Sequence, residues 1–350
     1  MKKIRVFEAF AGYGSQSIAL RNIGVPHEVV AISEIDKYAL QAYYALHDIN
    51  IPNLGDISEI NSADIPDHDL FTYSFPCQDI SIAGLQKGIQ ESTRSGLLYE
   101  CKKIIETKKP KYLLLENVKN LIGKKFKSDF DKWLDYLSSL GYTNYWKVLN
   151  AKDYGIPQNR ERVFVVSILG EHKPYKFPKG FKLEKCLADL LEEKVEEKYY
   201  INKPFKLVNK GLVKAELTTN VNFDQTKRIY GTDSCFKTLT TKGGEGNKIL
   251  IEAYLTDFDY KQTSQILNDQ RICTTLDTMQ DIVRIENFYK VRALTPKECF
   301  RLMGLNDSDI DKIQATGLSN TQQYKMAGNS IVVQVLETIF KELFHNVVTK

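Results

Sequence analysis

The first 170 residues alternate between apolar segments that predict β-strands and segments that predict helices, and this alternation is the strongest constraint on the fold. Ile4 to Phe10 is typical of a strand, Ala11 to Ser15 of a tight turn, and Gln16 to Asn22 of a helix. The same order repeats along the chain until strands near 143–149 and 163–169. Strands that alternate with helices indicate an α/β fold. We therefore predict a doubly wound, Rossmann-like sheet.

The turn after the first strand has features of a site for a nucleoside-containing ligand. Gly12 and Gly14 permit a close approach of the backbone, and the following helix begins with free N–H groups. Glu34 ends the second strand and lies 20 residues after Gly14. That is the spacing at which a carboxylate meets a ribose hydroxyl in dinucleotide-binding folds. A plain structural turn is the alternative that the two glycines alone would leave open.

A cysteine and a second carboxylate also follow strand-like segments. The apolar run Asp69 to Tyr73 stops just before Pro76 and Cys77, and Glu116 follows the run Tyr112 to Leu115. Catalytic groups in open α/β sheets lie at the carboxyl ends of strands. Cys77 is thus a candidate nucleophile, although a single cysteine is more often a small buried apolar residue. The polar loop 79–95 has the length of a mobile lid.

The alternation breaks after about residue 171, which predicts a second domain. We expect a catalytic domain of residues 1–180 plus 322–350 and a recognition domain with its hinge at 181–321. Residues 198–248 contain ten Lys or Arg and four Asp or Glu, a net charge of +6, with aromatic residues between them. This composition favours a surface that follows phosphates, and a solvated basic face is the alternative.

Composition limits the remaining classes of protein. The chain has a net charge of +4, and no apolar run approaches the ~18 residues of a membrane span. Its N-terminus has no signal-peptide pattern, so we expect a cytoplasmic protein with no membrane partner. Six cysteines, at 77, 101, 186, 235, 273 and 299, form no CxxC pair. We expect no metal site.

Eight motifs, in order, resemble those of the DNA (cytosine-5)-methyltransferases, and they cover roughly residues 4–168 and 291–339. They are Phe10-Ala11-Gly12-x-Gly14, Glu34, Gly55-Asp56-Ile57, Pro76-Cys77-Gln78, Glu116-Asn117-Val118, Gln158-x-Arg160-x-Arg162, the segment from Leu294 to Gly304, and Gly328-Asn329-Ser330. Ser15 and Phe75 depart from residues that are frequent in the family. The combination resembles some CG-specific bacterial enzymes of the prokaryotic and phage type.

The resemblance implies S-adenosylmethionine as methyl donor, with S-adenosylhomocysteine as product. The cofactor contacts that it implies are Phe10, Gly12, Tyr13, Gly14, Glu34, Ile35, Asp56, Ile57, Pro76, Leu97, Asn329 and Ser330. The partner that it implies is double-stranded DNA, and a cognate restriction endonuclease acting separately is a partner that it leaves open. We expect a monomer.

The resemblance also implies the reaction. The Cys77 thiolate adds to carbon 6 of a flipped-out cytosine, Glu116 assists at ring nitrogen 3 and the exocyclic amine, and Arg160 and Arg162 hold the base oxygen and flanking phosphates. Carbon 5 then attacks the methyl group, and loss of its proton releases Cys77. The substrate contacts are Gln78, Ser81, Gln158 and a threonine of a Thr-Leu turn, for which Thr238 and Thr275 both fit.

Three alternatives remain open at this point. One is a cytosine-5 methyltransferase of the same fold that acts on transfer RNA, and the long region 172–290 argues against it. Another is a catalytically silent DNA-binding relative, which the presence of Cys77, Glu116 and Arg162 argues against. The last is a dehydrogenase that uses the glycine turn, which leaves the Pro76-Cys77 and Asn329-Ser330 pairs unexplained.

Overall fold

The structure is a computed structural model, and part of the chain is described. The described residues are 3–75, 97–203, 205–210, 213–217, 228–233, 235–241, 247–252 and 289–345. Five expected site residues lie outside these ranges: Pro76, Cys77, Gln78, Ser81 and Thr275.

The first 170 residues form a six-stranded sheet and a short extra strand. The strands are β1 (Ile4–Ala9), β2 (His27–Ser33), β3 (Leu70–Tyr73), β4 (Tyr112–Val118), β5 (Tyr142–Asn150), β6 (Gln158–Asn159) and β7 (Glu161–Leu169). The order in the large sheet is β2-β1-β3-β4-β7-β5. The chain starts in β1, moves outward to the edge strand β2 and returns to β3 on the other side of β1, and this reversal is the switch point of a doubly wound fold. The predicted fold class is confirmed.

One strand of the large sheet, β7, runs opposite to the other five, which the sequence pattern does not predict. β1 to β4 run parallel, whereas β7 is antiparallel to both β4 and β5. Only residues 151–160 connect β5 to β7, which is fewer than the dozen or so residues that a parallel crossover needs. The sheet is therefore mixed at this edge.

Helices cover the sheet, and both the first and the last parts of the chain supply them. They are α1 (Ser15–Asn22), α2 (Lys37–Leu46), α3 (Leu98–Lys108), α4 (Lys127–Ser139), α5 (Pro296–Arg301), α6 (Asp307–Ala315), α7 (Asn320–Asn329) and α8 (Val333–Leu343). Thr295 caps α5, Pro296 occupies its first position, and Glu298 completes a capping box.

The C-terminal helices share the hydrophobic core of the first domain. Phe300, Ile310 and Leu336 belong to the same buried cluster as Val6 and Ile18. The same cluster also contains Phe236 and Ile249 of the expected recognition domain, so the boundary at 321 stays a prediction.

A second sheet explains why the strand and helix alternation stops. It contains β8 (Phe205–Lys210), β9 (Val213–Leu217), β10 (Arg228–Tyr230), β12 (Lys248–Glu252) and β13 (Tyr289–Ala293), while β11 (Phe236–Lys237) pairs with β6. Its order is β13-β12-β10-β9-β8. Ala215, Ile229, Leu250 and Val291 form a small core of their own. Within the described ranges, no helix is long and apolar enough to cross a membrane.

A fully buried acid lies in the central strand, beneath the glycine turn. Glu8 accepts hydrogen bonds from the Ser17 hydroxyl at 2.8 Å and the Tyr43 hydroxyl at 2.9 Å. Burial raises the pKa of Glu8 to about 7, although both hydroxyls oppose this rise. The Tyr43 ring lies 4.4 Å from the His47 ring, between centroids. Tyr43 and His47 pack directly against the glycine turn.

His47 is held neutral and bonds directly to the turn. Burial lowers the pKa of His47 to about 4, and its Nε2 lies 3.1 Å from the Tyr13 carbonyl oxygen. Since a carbonyl only accepts, Nε2 carries the proton. A Cβ atom on Gly14 would lie 2.3 Å from His47 Nε2 and 2.8 Å from a Tyr43 ring carbon, and the φ angle of Gly14 is +81°. Gly14 is thus required by packing.

We predict that Glu8→Gln changes the pH dependence of stability. Because the folded-state pKa of Glu8 is raised from 4.5 to about 7, its stabilising contribution is full below pH 4.5 and is lost as the pH rises through 7. The wild type should lose about 3 kcal/mol of unfolding free energy relative to the variant between pH 5 and pH 8. Urea denaturation at both pH values measures this difference. Parallel pH profiles for the two proteins would contradict the assignment.

We predict that alanine costs more at Gly14 than at Gly12. Both glycines have positive φ angles, but a Cβ on Gly12 would meet no heavy atom within 4 Å. Gly12→Ala should therefore cost about 1 kcal/mol of unfolding free energy for strained backbone alone. Gly14→Ala should cost roughly 2–4 kcal/mol, because overpacking against two buried rings is added. Urea denaturation without ligand compares them, and His47→Ala should partly rescue Gly14→Ala. Equal costs would show that packing is not the reason.

Candidate functional site

A cavity of about 350 Å³ opens at the carboxyl ends of β1, β2 and β4 and beyond the end of β3. This volume lies in the range of small-molecule sites. Its walls include most of the residues expected to contact the cofactor: Phe10, Gly12, Tyr13, Glu34, Ile35, Asp56, Ile57, Leu97, Asn329 and Ser330. Glu116, Arg160 and Arg162 line it as well. Gly14 is not part of the wall.

The turn after β1 is bent toward the carboxylate of Glu34. Phe10 and Gly12 have φ angles of 56° and 58°. A positive φ is unusual for phenylalanine, and such strain concentrates at functional sites. The Gly12 amide donates to Glu34 Oε2 at 2.8 Å, and the Asp36 amide donates to Oε1 at 2.7 Å. The Glu34 carboxylate is therefore fixed in orientation by two backbone donors.

Two features around Glu34 bear on ligand binding. Asn53, which the sequence analysis missed, accepts from the Glu34 amide at 3.0 Å and donates to the Glu34 carbonyl at 2.9 Å. Its position in a loop gave no sequence signal for this role. The neighbouring Ile35 is 73% exposed although it lines the cavity. The cavity thus combines an oriented carboxylate with an uncovered apolar side chain.

Glu116 forms an ion pair with Arg162 at the cavity wall. Arg162 Nε lies 3.1 Å from Glu116 Oε1, and the two side chains are 17% and 10% exposed. In the antiparallel register Val118 faces Arg162, so Glu116 and Arg162 are diagonal neighbours on one face. Burial raises the pKa of Glu116, while Arg162 and then Arg160 oppose the rise. A carboxyl with a raised pKa can hold a proton nearer neutral pH than an exposed acid can.

Asn117 connects the end of β4 to the chain that leads toward Cys77. Its Nδ2 donates to the Phe75 carbonyl at 3.0 Å, and its Oδ1 accepts from the Val118 amide at 2.9 Å. Both polar atoms of the side-chain amide are used, so its orientation is determined. The last described residue before Pro76 is therefore anchored beside Glu116.

Gln158 and Arg160 are buried, and they bind main-chain atoms. Arg160 Nη2 donates to the carbonyls of Gly328 at 3.1 Å and Ser330 at 2.7 Å. Gln158 Nε2 donates to the Leu302 carbonyl at 2.7 Å. Of the two arginines, Arg162 is the one that contacts Glu116. The sequence predicts all three side chains at the substrate and does not separate these environments.

The C-terminal part of the wall is joined to the glycine turn and to the recognition region. The Tyr13 hydroxyl lies 2.6 Å from Ser330 Oγ. Thr238 Oγ1 donates to the Asn159 carbonyl at 2.9 Å. Thr238, one of the two threonines expected to support a flipped base, therefore lies next to the strand that carries Arg162.

Comparisons with known proteins agree along nearly the whole chain. The family model described as C-5 cytosine-specific DNA methylase matches residues 4–345. The type II methyltransferase M2.ScrFI of Lactococcus lactis subsp. cremoris is 42% identical, covering 97% of this chain and 99% of the relative. The orphan methyltransferase M.SPRI of Bacillus phage SPR is 33% identical, with 100% and 99% covered. M.HhaI of Haemophilus parahaemolyticus, a type II methyltransferase, is 33% identical, with 96% and 93% covered.

Solved structures show the same fold. The crystal structure of S. pombe Dnmt2 methyltransferase superposes with a TM-score of 0.69 at 19% identity, covering 98% of this chain and 99% of that one. Since the family model and relatives above 30% identity span the chain almost completely, this protein belongs to the C-5 cytosine-specific DNA methylase family and is a DNA (cytosine-5)-methyltransferase.

Proposed function

We propose that this protein transfers the methyl group of S-adenosylmethionine to carbon 5 of a flipped-out cytosine in a short double-stranded DNA site, through a covalent bond between Cys77 and carbon 6. The observation that carries the proposal is the Glu116–Arg162 pair at the wall of a cavity that also contains the glycine turn. It supplies a positioned acid beside the expected cofactor residues. We propose a monomer that works in the cytoplasm.

The residues of the cavity fit the methyl donor. Glu34, with its carboxylate held by Gly12 and Asp36, would bind the ribose hydroxyls, and the uncovered Ile35 would pack against the adenine ring. Phe10, Asp56 and Ser330 complete this part of the wall. When bound, the donor supplies an electrophilic methyl group.

Glu116 would act on the base. With a raised pKa, its carboxyl can share a proton with ring nitrogen 3 and accept a hydrogen bond from the exocyclic amine. Protonation there makes carbon 6 electrophilic enough for the Cys77 thiolate to add, which leaves carbon 5 nucleophilic. Arg162 would hold the base oxygen and keep Glu116 oriented. Loss of the carbon 5 proton then breaks the bond to Cys77.

We propose different roles for the other expected residues. Gln158 and Arg160 act as positioning residues, because their side chains donate to main-chain carbonyls inside the protein. Flipping a base out of the duplex costs a few kcal/mol, and Gln78 and Ser81 would help fill the gap. Thr238 would support the flipped nucleotide, since it is attached to Asn159 beside the strand of Arg162. Thr275 remains the alternative.

We predict that Cys77→Ser and Glu116→Gln stop the reaction at different stages. Labelled S-adenosylmethionine and mixed duplex DNA should give 5-methylcytosine with the wild type only. Both variants should fall by at least about 10²-fold in rate, since they lack the nucleophile and the acid. On DNA containing 5-fluorocytosine, Cys77→Ser should form no covalent adduct, whereas Glu116→Gln should form it slowly.

The same assay separates the alternatives. Label in transfer RNA but not in DNA would favour the RNA enzyme. Binding of DNA without any label or adduct would favour a silent DNA-binding relative. Sequencing the methylated positions gives the recognised site, and a search for cleavage of unmethylated DNA by cell extracts tests for a separate endonuclease.

We predict that Ile35→Ala weakens cofactor binding without affecting stability. Burial of an isoleucine side chain is worth about 1.5–3 kcal/mol, so a partial loss should raise the Kd for S-adenosylhomocysteine by roughly tenfold. Ile49 is the matched control because it is also 73% exposed but does not line the cavity. Calorimetric titration should show an unchanged Kd for Ile49→Ala. Equal Kd values for the two variants would remove Ile35 from the binding site.

A further inference from the structure

Residues 236–239 attach the recognition region to the catalytic domain. The Phe236 amide donates to the Pro157 carbonyl at 2.7 Å, and Thr238 Oγ1 donates to the Asn159 carbonyl at 2.9 Å. Lys237 and Asn159 are direct partners in this parallel ladder. Arg162 lies three positions after Asn159, and three residues of chain span at most about 10 Å. Lys237 thus lies close to the catalytic cavity.

Lys237 is held among other cations. Its side chain is half-buried, and its Nζ lies 5.2 Å from the centroid of the Tyr230 ring. Burial, and after it the neighbouring cations Lys248 and Arg228, together lower the pKa of Lys237 to about 8. In the part of the chain that the structure describes, no carboxylate pairs with the Lys237 ammonium. Lys248 and Arg228 therefore both oppose the positive charge of Lys237.

A positive charge is unfavourable in such a place unless an anion arrives. Partial burial and two neighbouring cations both disfavour the ammonium form. The aromatic face of Tyr230 compensates in part, by roughly 0.5–1 kcal/mol at a partly exposed site. A phosphate group would compensate far more fully, because it supplies both charge and hydrogen-bond acceptors. The arrangement is thus suited to a ligand that brings its own negative charge.

We propose that Lys237 binds a backbone phosphate of the DNA strand whose cytosine enters the cavity, next to the nucleotide supported by Thr238. This inference rests on the proposed function and adds to it a contact outside the expected set of site residues. We infer a phosphate ligand from the positive charge of Lys237. We infer its position from Asn159, which pairs with Lys237 in the ladder and accepts the hydrogen bond of Thr238. Lys237 would bind the DNA and fix its position on the protein, because phosphate contacts set the orientation of the duplex without reading the base sequence.

The test compares Lys237→Met, Lys237→Arg and the wild type on a duplex that contains the methylated site. Methionine keeps an apolar stem over Tyr230 and removes the charge. If one phosphate contact is lost, the slope of log affinity against log salt should become shallower by about 1 for Lys237→Met, and affinity should fall by roughly tenfold at low salt. Lys312→Met, which removes an exposed lysine of α6, is the control and should leave the slope unchanged.

Lys237→Arg supplies a second readout that does not depend on how well the methionine variant folds. Wild-type affinity should weaken as the pH rises above about 8, where Lys237 loses its proton. Lys237→Arg should bind with the wild-type slope and without this loss, since arginine stays charged. The charged or titratable groups that face Lys237 are Arg228, Tyr230 and Lys248, and burial keeps the pKa of Tyr230 above its ordinary value of 10.

Two results would overturn the inference. One is an unchanged salt slope in Lys237→Met, and the other is an equal change in Lys312→Met, which would indicate a general effect of net charge. Failure of the proposed function is distinguishable from both, because the wild type would then transfer no methyl group to any duplex.

Discussion

The guanidinium of Arg160 holds one wall of the cavity in place. Its two hydrogen bonds, to the carbonyls of Gly328 and Ser330, join the strand beside the acid to a segment about 170 residues away in the chain. Ser330 in turn meets the hydroxyl of Tyr13, in the turn after β1. Gly328 has no room for a side chain, since a Cβ would lie 2.9 Å from the Thr241 amide nitrogen. Three distant parts of the sequence thus close one wall, and each contact constrains the others.

The sequence predicts which residues lie at this wall better than it predicts the contacts that each of them makes. Strand ends and glycine turns are local patterns, so Glu34, Glu116 and the turn at 12–14 could be placed correctly at one edge of the sheet. The antiparallel direction of β7 could not be predicted, because apolar periodicity indicates burial and not strand direction. The hydrogen bond from Gln158 to Leu302 spans 144 residues and has no local signature. The sequence alone therefore does not distinguish a buried polar side chain of this kind from a substrate contact.

Two buried glutamates show how position decides chemistry. Burial raises the pKa of both Glu8 and Glu116. Glu8 lies in the middle of a strand and meets two hydroxyls in a closed core, so its proton has no substrate to reach. Glu116 lies two residues before the end of its strand, lines the cavity and meets Arg162. The arginine limits the rise in pKa and holds the carboxyl in one orientation, which suits an acid that must both donate and accept.

The short segment from Gln158 to Arg162 connects recognition to catalysis. Asn159 accepts from Thr238, and Gln158 accepts from the Leu239 amide at 3.2 Å, so the recognition region is bonded to its first two residues. Arg160 then holds the cavity wall at Ser330, and Arg162 holds Glu116. The Arg160 amide donates to the Gln158 carbonyl at 3.0 Å, so a tight turn between β6 and β7 lets one short segment meet these partners at once. A phosphate bound by Lys237 would contact the same segment. The position of the DNA backbone and the position of Glu116 would then both depend on residues 158–162.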